Sequence, residues 1–170
     1  FMDQTIKQIS PLVSVVMSVY NGENYLREAI ESVLSQSYSN FEFIIINDGS
    51  TDSTRDIIHS FNDPRIVVID QPNMGVAAAL NRGLKLARAE WVARFDADDI
   101  CHPSRLEKQM EFIRKNKGFI LIGSDVEVID TGGNFIYRYE HLAHRYEDIL
   151  KLRPSVCGFI HSTVYYNKQA

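Results

Sequence analysis

The chain has 170 residues, 45% hydrophobic and 24% charged, the composition of an ordinary globular domain long enough for one good core. A net charge of -4 with no local cluster of Lys and Arg excludes a nucleic-acid surface, so an anionic ligand would need a metal or a few local positive groups. The two cysteines, Cys101 and Cys157, have no metal-ligand or disulfide spacing, and no apolar run reaches the roughly 18 residues of a membrane span.

Leu12 to Val19 is rich in β-branched residues and reads as a buried first strand ending at Tyr20-Asn21-Gly22. From Glu23 the period changes: Tyr25, Leu26, Ala29, Ile30, Val33 and Leu34 form one helical stripe, with Asn21 placed as its N-cap. Phe41 to Ile46 is expected as a second strand, followed by a loop of turn and capping residues, Asn47 to Asp52, and a short helix carrying Ile57, Ile58 and Phe61. Ile66 to Ile69 reads as a third strand. Gln71-Pro72-Asn73-Met74-Gly75 then leads into an Ala-rich helix, Val76 to Ala87, and Trp91 to Phe95 is a fourth strand.

Strands alternating with helices of this length imply right-handed βαβ units and a parallel sheet. In such sheets ligands sit beyond the carboxyl ends of the strands. The loops 18–22, 47–52, 72–75 and 96–99 are therefore expected to converge on one edge. Further on, Pro103 opens a helix with Leu106, Met110 and Ile113 inward and Gly118 at its end. Phe119 to Ile122, Val126 to Ile129 and Phe135 to Tyr139 read as strands, the last two joined by a hairpin turn at Thr131 to Asn134. His144 to Leu152 is expected as a helix. Gly158 to Tyr166 is a last apolar segment, in which His161 reads as a satisfied core histidine.

The stretch Arg94-Phe95-Asp96-Ala97-Asp98-Asp99 crowds three carboxylates at a strand end. Such hard oxygen donors suit Mg²⁺ or Mn²⁺, which keep waters and commonly bind a ligand's phosphates. Strand alternation would put Asp96 and Asp98 on one side and Ala97 and Asp99 on the other; the stretch also reads as a solvated acidic turn. Tyr20 can lay its ring on a flat base or simply pack. Asp48 can accept the imide N–H of a pyrimidine or cap the turn that follows it. Asn73 and Gly75 fit turn chemistry, and a helix starting at Val76 would offer N–H groups to a phosphate. Arg82 and Arg94 read as phosphate contacts or as partners of nearby aspartates. Histidines 59, 102, 141 and 144 show no ligand spacing.

Taken together, Val13 to Asn21, Asn47-Asp48-Gly49-Ser50-Thr51-Asp52, Asn73-x-Gly75 through Ala79-Leu80-Asn81-Arg82-Gly83, and Asp96-Ala97-Asp98-Asp99 resemble family 2 of the glycosyltransferases in order and spacing. The resemblance implies the GT-A fold: a Rossmann-like, mostly parallel α/β sheet flanked by helices, with a small additional β element after the Asp-x-Asp loop. It implies inverting transfer of a sugar from a nucleotide-diphosphate-sugar, UDP-linked, to a saccharide or lipid-linked acceptor hydroxyl in polysaccharide or glycoconjugate synthesis. By the same resemblance Ser18, Tyr20 and Asp48 hold the base and nearby ribose. Gly75 and Ala97 complete the donor-binding set, Asp96 meets the ribose or a metal-bound water, and Asp98 holds Mg²⁺ or Mn²⁺ at the diphosphate.

Family members carry an acidic general base beyond the segment that resembles His161 to Tyr166, and Glu147-Asp148, ahead of that segment, reads as surface. Residues 1–170 are therefore expected to be a single donor-binding domain truncated on its acceptor side, with 1–10 flexible and the catalytic base unassigned. Reduced thiols and the lack of a signal-peptide core at the start fit a cytoplasmic setting, at the membrane face in a longer protein. The alternatives are a metal-dependent nucleotidyltransferase and a non-catalytic nucleotide-binding module. Against the first, a Gly-rich phosphate loop with a Lys or Arg is replaced by Ser18-Val19-Tyr20-Asn21; a receiver-like module lacks its acidic pair after the first strand, and a dinucleotide fold lacks Gly-x-Gly-x-x-Gly.

Overall fold

Alternation along the first strands decides the layers of this protein. A computed structural model describes residues 12–140, 146–152 and 159–170; the expectations for residues 1–10, His141, His144, Cys157 and Gly158 lie outside the described residues. Strands β1 (Val13–Val19) and β2 (Phe41–Asp48) are buried on both faces. Val13, Val15, Met17 and Val19 of β1 share one core with Phe41, Phe43 and Ile45 of β2, while Val16, Ile44 and Ile46 belong to a second core. A period of two along each strand thus feeds two helical layers at once.

The larger core is closed by α1 (Leu26–Leu34), α2 (Thr54–His59) and α4 (Arg105–Lys115), through Leu26, Ile30, Val33, Ile58, Leu106 and Met110. The smaller is closed by α3 (Val76–Leu86), through Ala79, Leu80 and Leu84. Close approach there depends on Gly83, where an added Cβ would lie 2.5 Å from Val16 Cγ1. With β3 (Ile66–Gln71) and β4 (Trp91–Asp96) the four predicted strands are parallel, side by side in the order β3-β2-β1-β4.

Beyond β4 the sheet continues with β8 (Tyr165–Asn167), antiparallel to β4, and then β5 (Leu121–Ile122), antiparallel to β8. Strands β6 (Val126–Ile129) and β7 (Phe135–Tyr139) form the expected hairpin, a separate two-stranded sheet. Helix α5 (Tyr146–Leu152) carries Glu147, which is exposed, and Asp148, which pairs with Lys151 at 3.1 Å, in keeping with the surface reading of that acidic pair.

Several expectations change. Asn21 caps no helix: α1 starts at Leu26 after a turn closed onto the Gly22 carbonyl, and Asn21 sits at φ 50, bonded across to the next loop. Strand β2 runs two residues past Ile46, because Asn47 and Asp48 still pair in register with β3. Strand β5 is only two residues long, and Phe119 and Ile120 are exposed. Finally, His161 is not in a strand or a core. It opens a 3-10 turn, His161–Thr163, and is exposed, while Ser162 and Thr163 take the buried positions. The Thr163 hydroxyl is satisfied on both counts: Oγ1 donates to the Ile160 carbonyl at 2.9 Å and accepts from the Ser124 N–H at 3.1 Å.

At the opposite end of the sheet from the converging loops, Glu42 is 2% exposed. Its carboxylate accepts from Ser14 Oγ (2.6 Å), from Arg88 N and from Arg88 Nε (both 2.7 Å), tying the α3–β4 connection beneath β1 and β2. Burial pushes this carboxyl up, but the bonds to Ser14 and Arg88 outweigh it and hold the group below its ordinary 4.5. A carboxyl depressed in the folded state binds more protons when unfolded, so it stabilises the fold above its ordinary value and that contribution is lost as the pH falls through the folded value. Melting temperature should therefore decline as pH drops below 4.5, with Asp48, Asp63 and Asp70 acting in the same direction. Glu42→Gln should flatten that decline, and a set of thermal melts from pH 3 to 7 on both proteins checks it; identical slopes would remove Glu42 from the account.

Candidate functional site

Because β1 to β4 are parallel, the loops that follow them do meet at one edge, and hydrogen bonds lock three of them together. Asn21 Oδ1 accepts the Thr51 N–H at 2.8 Å, and Ser50 Oγ accepts the Asn21 N–H at 3.0 Å. Thr54 Oγ1 accepts from Gly22 N at 2.8 Å, and Asp52 and Glu23 exchange bonds with each other's loops. This clasp fixes the backbone that follows Tyr20, while the β1–β2 pairing at Val19 fixes the backbone before it; Tyr20 itself is 52% exposed. Ser18, half-buried, lies in register with Ile46 on one side and Asp96 on the other.

Asp48 joins the second and third loops. It falls on the α3 face of β2, next to Gln71 in register on β3. Its Oδ1 accepts from Gln71 Nε2 (2.6 Å) and Met74 N (3.0 Å), and its Oδ2 accepts from Gly75 N (2.8 Å). Asp48 is 3% exposed. Burial pushes its carboxyl up, and the three hydrogen bonds more than offset this and hold it below the ordinary 3.8. The alternative reading of Asp48 as a cap for 49–51 is thus corrected: the side chain reaches forward to residues 71–75, not to its own loop. Gly49 at φ +76 permits that approach, as a Cβ there would stand 2.5 Å from the Asn73 nitrogen.

Gly75, at φ +85, precedes α3, and the N–H groups of Met74 and Gly75 are committed to Asp48 rather than open to a phosphate. Beside this turn, Asn47, Gly49, Arg55, Asp70, Gln71 and Pro72 line an open, shallow depression. Gln71 was not legible as a site residue. The signal available was a polar residue closing the apolar run of β3, which is weak by itself.

The acidic stretch departs from strand alternation. Strand β4 ends at Asp96, and the Asp99 N–H turns back to the Asp96 carbonyl at 3.4 Å. Asp96 is paired with Arg94 through Nη2 and Nη1 of the guanidinium, at 2.7 and 2.8 Å, so Arg94 serves an aspartate in its own strand. Ala97 is half-buried in the turn, and Asp98 is exposed with no described side chain neutralising it. Burial pushes the Asp99 carboxyl above its ordinary 3.8; the Ser162 hydroxyl and Arg105 oppose this, while the charges of Asp96 and Asp98 reinforce it. Beneath the turn Arg105 donates to the Arg94 carbonyl (2.9 Å) and Gln109 Oε1 (3.2 Å), and its guanidinium carbon is 5.7 Å from the Phe95 ring centre. Gln109 in turn donates to the Thr163 carbonyl at 3.0 Å, which anchors the 3-10 turn to α4.

Among the described residues no three His, Cys, Asp or Glu side chains converge as a ready cage for a metal ion. The acidic turn still fits a hard divalent cation in one respect: it holds an exposed carboxylate that no described side chain neutralises, next to Asp99, whose carboxyl is raised first by burial and further by the charges of Asp96 and Asp98. Mg²⁺ and Mn²⁺ at nucleotide sites ordinarily take one or two carboxylates and complete their shells with phosphate and water. Of the three carboxylates of the turn, Asp98 is the exposed one. No described helix is long and apolar enough to cross a membrane.

The model of the family described as Glycosyl transferase family 2 matches residues 14–170. The chain is 39% identical over 157 residues to an uncharacterized glycosyltransferase of Rickettsia bellii, covering 89% of this chain and 22% of that one. It is 43% identical over 122 residues to an uncharacterized glycosyltransferase of Haemophilus influenzae, covering 70% and 38%. The chain spans from about a fifth to half the length of the curated relatives it matches. Among solved structures, Staphylococcus aureus TarS residues 1–349 in complex with UDP superposes with a TM-score of 0.58 at 30% identity, covering 61% of this chain and 32% of that one. The mannosyltransferase PcManGT from Pyrobaculum calidifontis, in complex with GDP-Man and Mn²⁺, gives a TM-score of 0.67 at 18% identity over 95% and 46% of the two chains, a likeness of fold alone. The mostly parallel sheet with helices on both faces is the GT-A fold of these neighbours.

Proposed function

The chain belongs to glycosyl transferase family 2, and we propose that it binds the donor, a UDP-sugar, for inverting transfer to a saccharide or lipid-linked hydroxyl in polysaccharide or glycoconjugate synthesis. The observation that carries this reading is the convergence at one sheet edge of the exposed Tyr20 ring, the Asp48 carboxylate and the acidic turn 96–99. UDP and UDP-GlcNAc complexes of TarS, 30% identical to this chain, support the choice of base.

Tyr20 stacks on the uracil ring, held at its angle by the clasp between the first two loops. Asp48 accepts the base N–H on the lone pair that its three protein donors leave, and Ser18 lies between it and Asp96 on the ribose side. Ala97 and Gly75 keep backbone close to the diphosphate without a bulky side chain. Asp98 ligates a divalent cation, whose chemistry when bound is to neutralise charge on the departing diphosphate. Inversion follows if the acceptor oxygen approaches the anomeric carbon from the face opposite that diphosphate.

A thermal-shift panel of UDP, GDP, ADP and dTDP, each with and without Mn²⁺, tests the reading. UDP with Mn²⁺ should give the largest rise in melting temperature, of the size that a ligand in about hundredfold excess over its Kd confers on a folded state. Equal shifts for all four nucleotides would refute the base assignment. Release of UDP from UDP-sugars with simple and lipid-linked saccharides as acceptors then tests transfer itself.

A further inference from the structure

Around Asp48 the structure distributes hydrogen-bond donors in a way that bears on which base fits. A carboxylate offers about four lone-pair positions, two on each oxygen. Here Oδ1 carries two donors, Gln71 Nε2 and Met74 N, and is full; Oδ2 carries one, Gly75 N, and keeps one position. The orientation of Gln71 is itself dictated. Arg82 Nη1 donates to Gln71 Oε1 at 3.0 Å, and because a guanidinium only donates, the amide NH₂ must face Asp48. Gln71 is 7% exposed and sits across from Asp48 in register, whereas Arg82 lies on the exposed side of α3.

We infer that Arg82 and Gln71 are positioning residues that set nucleobase selectivity by reducing Asp48 to a single-site acceptor. Uracil presents one imide N–H between two carbonyls, which matches one free position. Guanine presents two neighbouring donors, the ring N–H and the exocyclic NH₂, and binds a carboxylate best through both oxygens at once. With Oδ1 occupied, that two-point contact is closed off. The inference rests on the proposal that Asp48 meets the base, and it adds why a pyrimidine is preferred: the discrimination is built by residues that never touch the nucleotide. A role confined to stability would weaken all nucleotides together. A role in selectivity changes their ratio.

The test is calorimetric titration of UDP and GDP, at fixed Mn²⁺, into the wild type, Gln71→Leu, Arg82→Ala and Arg82→Lys. The wild type should favour UDP. Gln71→Leu, which frees Oδ1 at nearly constant volume, should reduce the ratio of the GDP to the UDP dissociation constant by about tenfold, the weight of one hydrogen bond to a charged group. Arg82→Ala should move the ratio the same way by less, and Arg82→Lys should restore much of it. A folded Gln71→Leu protein with the wild-type ratio overturns the inference while leaving the base assignment standing. Should Gln71→Leu fail to fold, an unchanged ratio in Arg82→Ala, an exposed position, overturns it equally. A wild type that binds the two nucleotides alike, or binds neither, overturns the reading of Asp48 and the inference with it.

Discussion

Asp98→Ala should abolish the Mn²⁺ dependence of nucleotide binding, weakening UDP in the presence of metal by about 100-fold or more, and leave the protein folded with an unchanged or higher melting temperature. Loss of a residue that only orients a metal ligand already costs about 10- to 100-fold in affinity, so loss of the ligand itself should cost at least the upper figure. The fold should not suffer, because Asp98 is exposed and contributes repulsion. Its charge and that of Asp96 add to the burial that raises the Asp99 carboxyl. A carboxyl raised in the folded state lowers stability at pH values above its ordinary 3.8, and removing a neighbouring charge relieves part of that. Calorimetric titration of UDP with and without Mn²⁺, beside a thermal melt of each protein, provides both measurements. A variant that binds UDP with the wild-type response to Mn²⁺ would take Asp98 out of the site.

The second large effect is expected at Asp48, where fold and binding should fail together. Asp48→Ala strands three donors that a single carboxylate satisfies: the Gln71 amide and the N–H groups of Met74 and Gly75. An orphaned buried donor costs about 1–3 kcal/mol, so a loss of about 3 kcal/mol or more is expected even if water reaches one of them. The turn 72–75 should then loosen, carrying with it the start of α3 and the packing of Gly49 against Asn73. Urea denaturation of the variant reads the stability, and UDP titration of the still-folded fraction reads the site. Asp48→Asn is the sharper control: its volume is conserved and its oxygen can keep the two donors on the Oδ1 side, but its NH₂ then faces the Gly75 N–H, so it should lose about the share of that stability that one stranded donor carries. A variant as stable as the wild type would show that the turn is held by something other than this carboxylate.

These two residues also mark how far local sequence reaches. The four parallel strands and their following helices were legible because β-branched runs and 3.6-residue stripes are local, written within a dozen residues, and because handedness then leaves few ways to connect them. The crowding of Asp96, Asp98 and Asp99 was equally local, and so was the prospect of a cation. Past Asp96, however, the strand gives way to a turn, and alternation no longer says which carboxylate faces which way. That decision belongs to particular partners: Arg94, two residues back, on Asp96, and Arg105 with the sequence-distant Ser162 on Asp99.

By itself the sequence determined the α/β class, the alternation of four strands with helices, and the edge at which the loops meet. Only the tertiary structure decided that Asn21 fastens one loop to another instead of capping a helix, that Asp48 is held by Gln71, Met74 and Gly75, and that β8 enters antiparallel beside β4. It likewise put Ser162 and Thr163, rather than His161, into buried positions. The physical reason is common to these cases. A strand or helix repeats a signal along the chain, whereas a side-chain hydrogen bond is made once, between residues tens of positions apart, and what selects it is the need to satisfy each buried donor and acceptor after the sheet has brought them together.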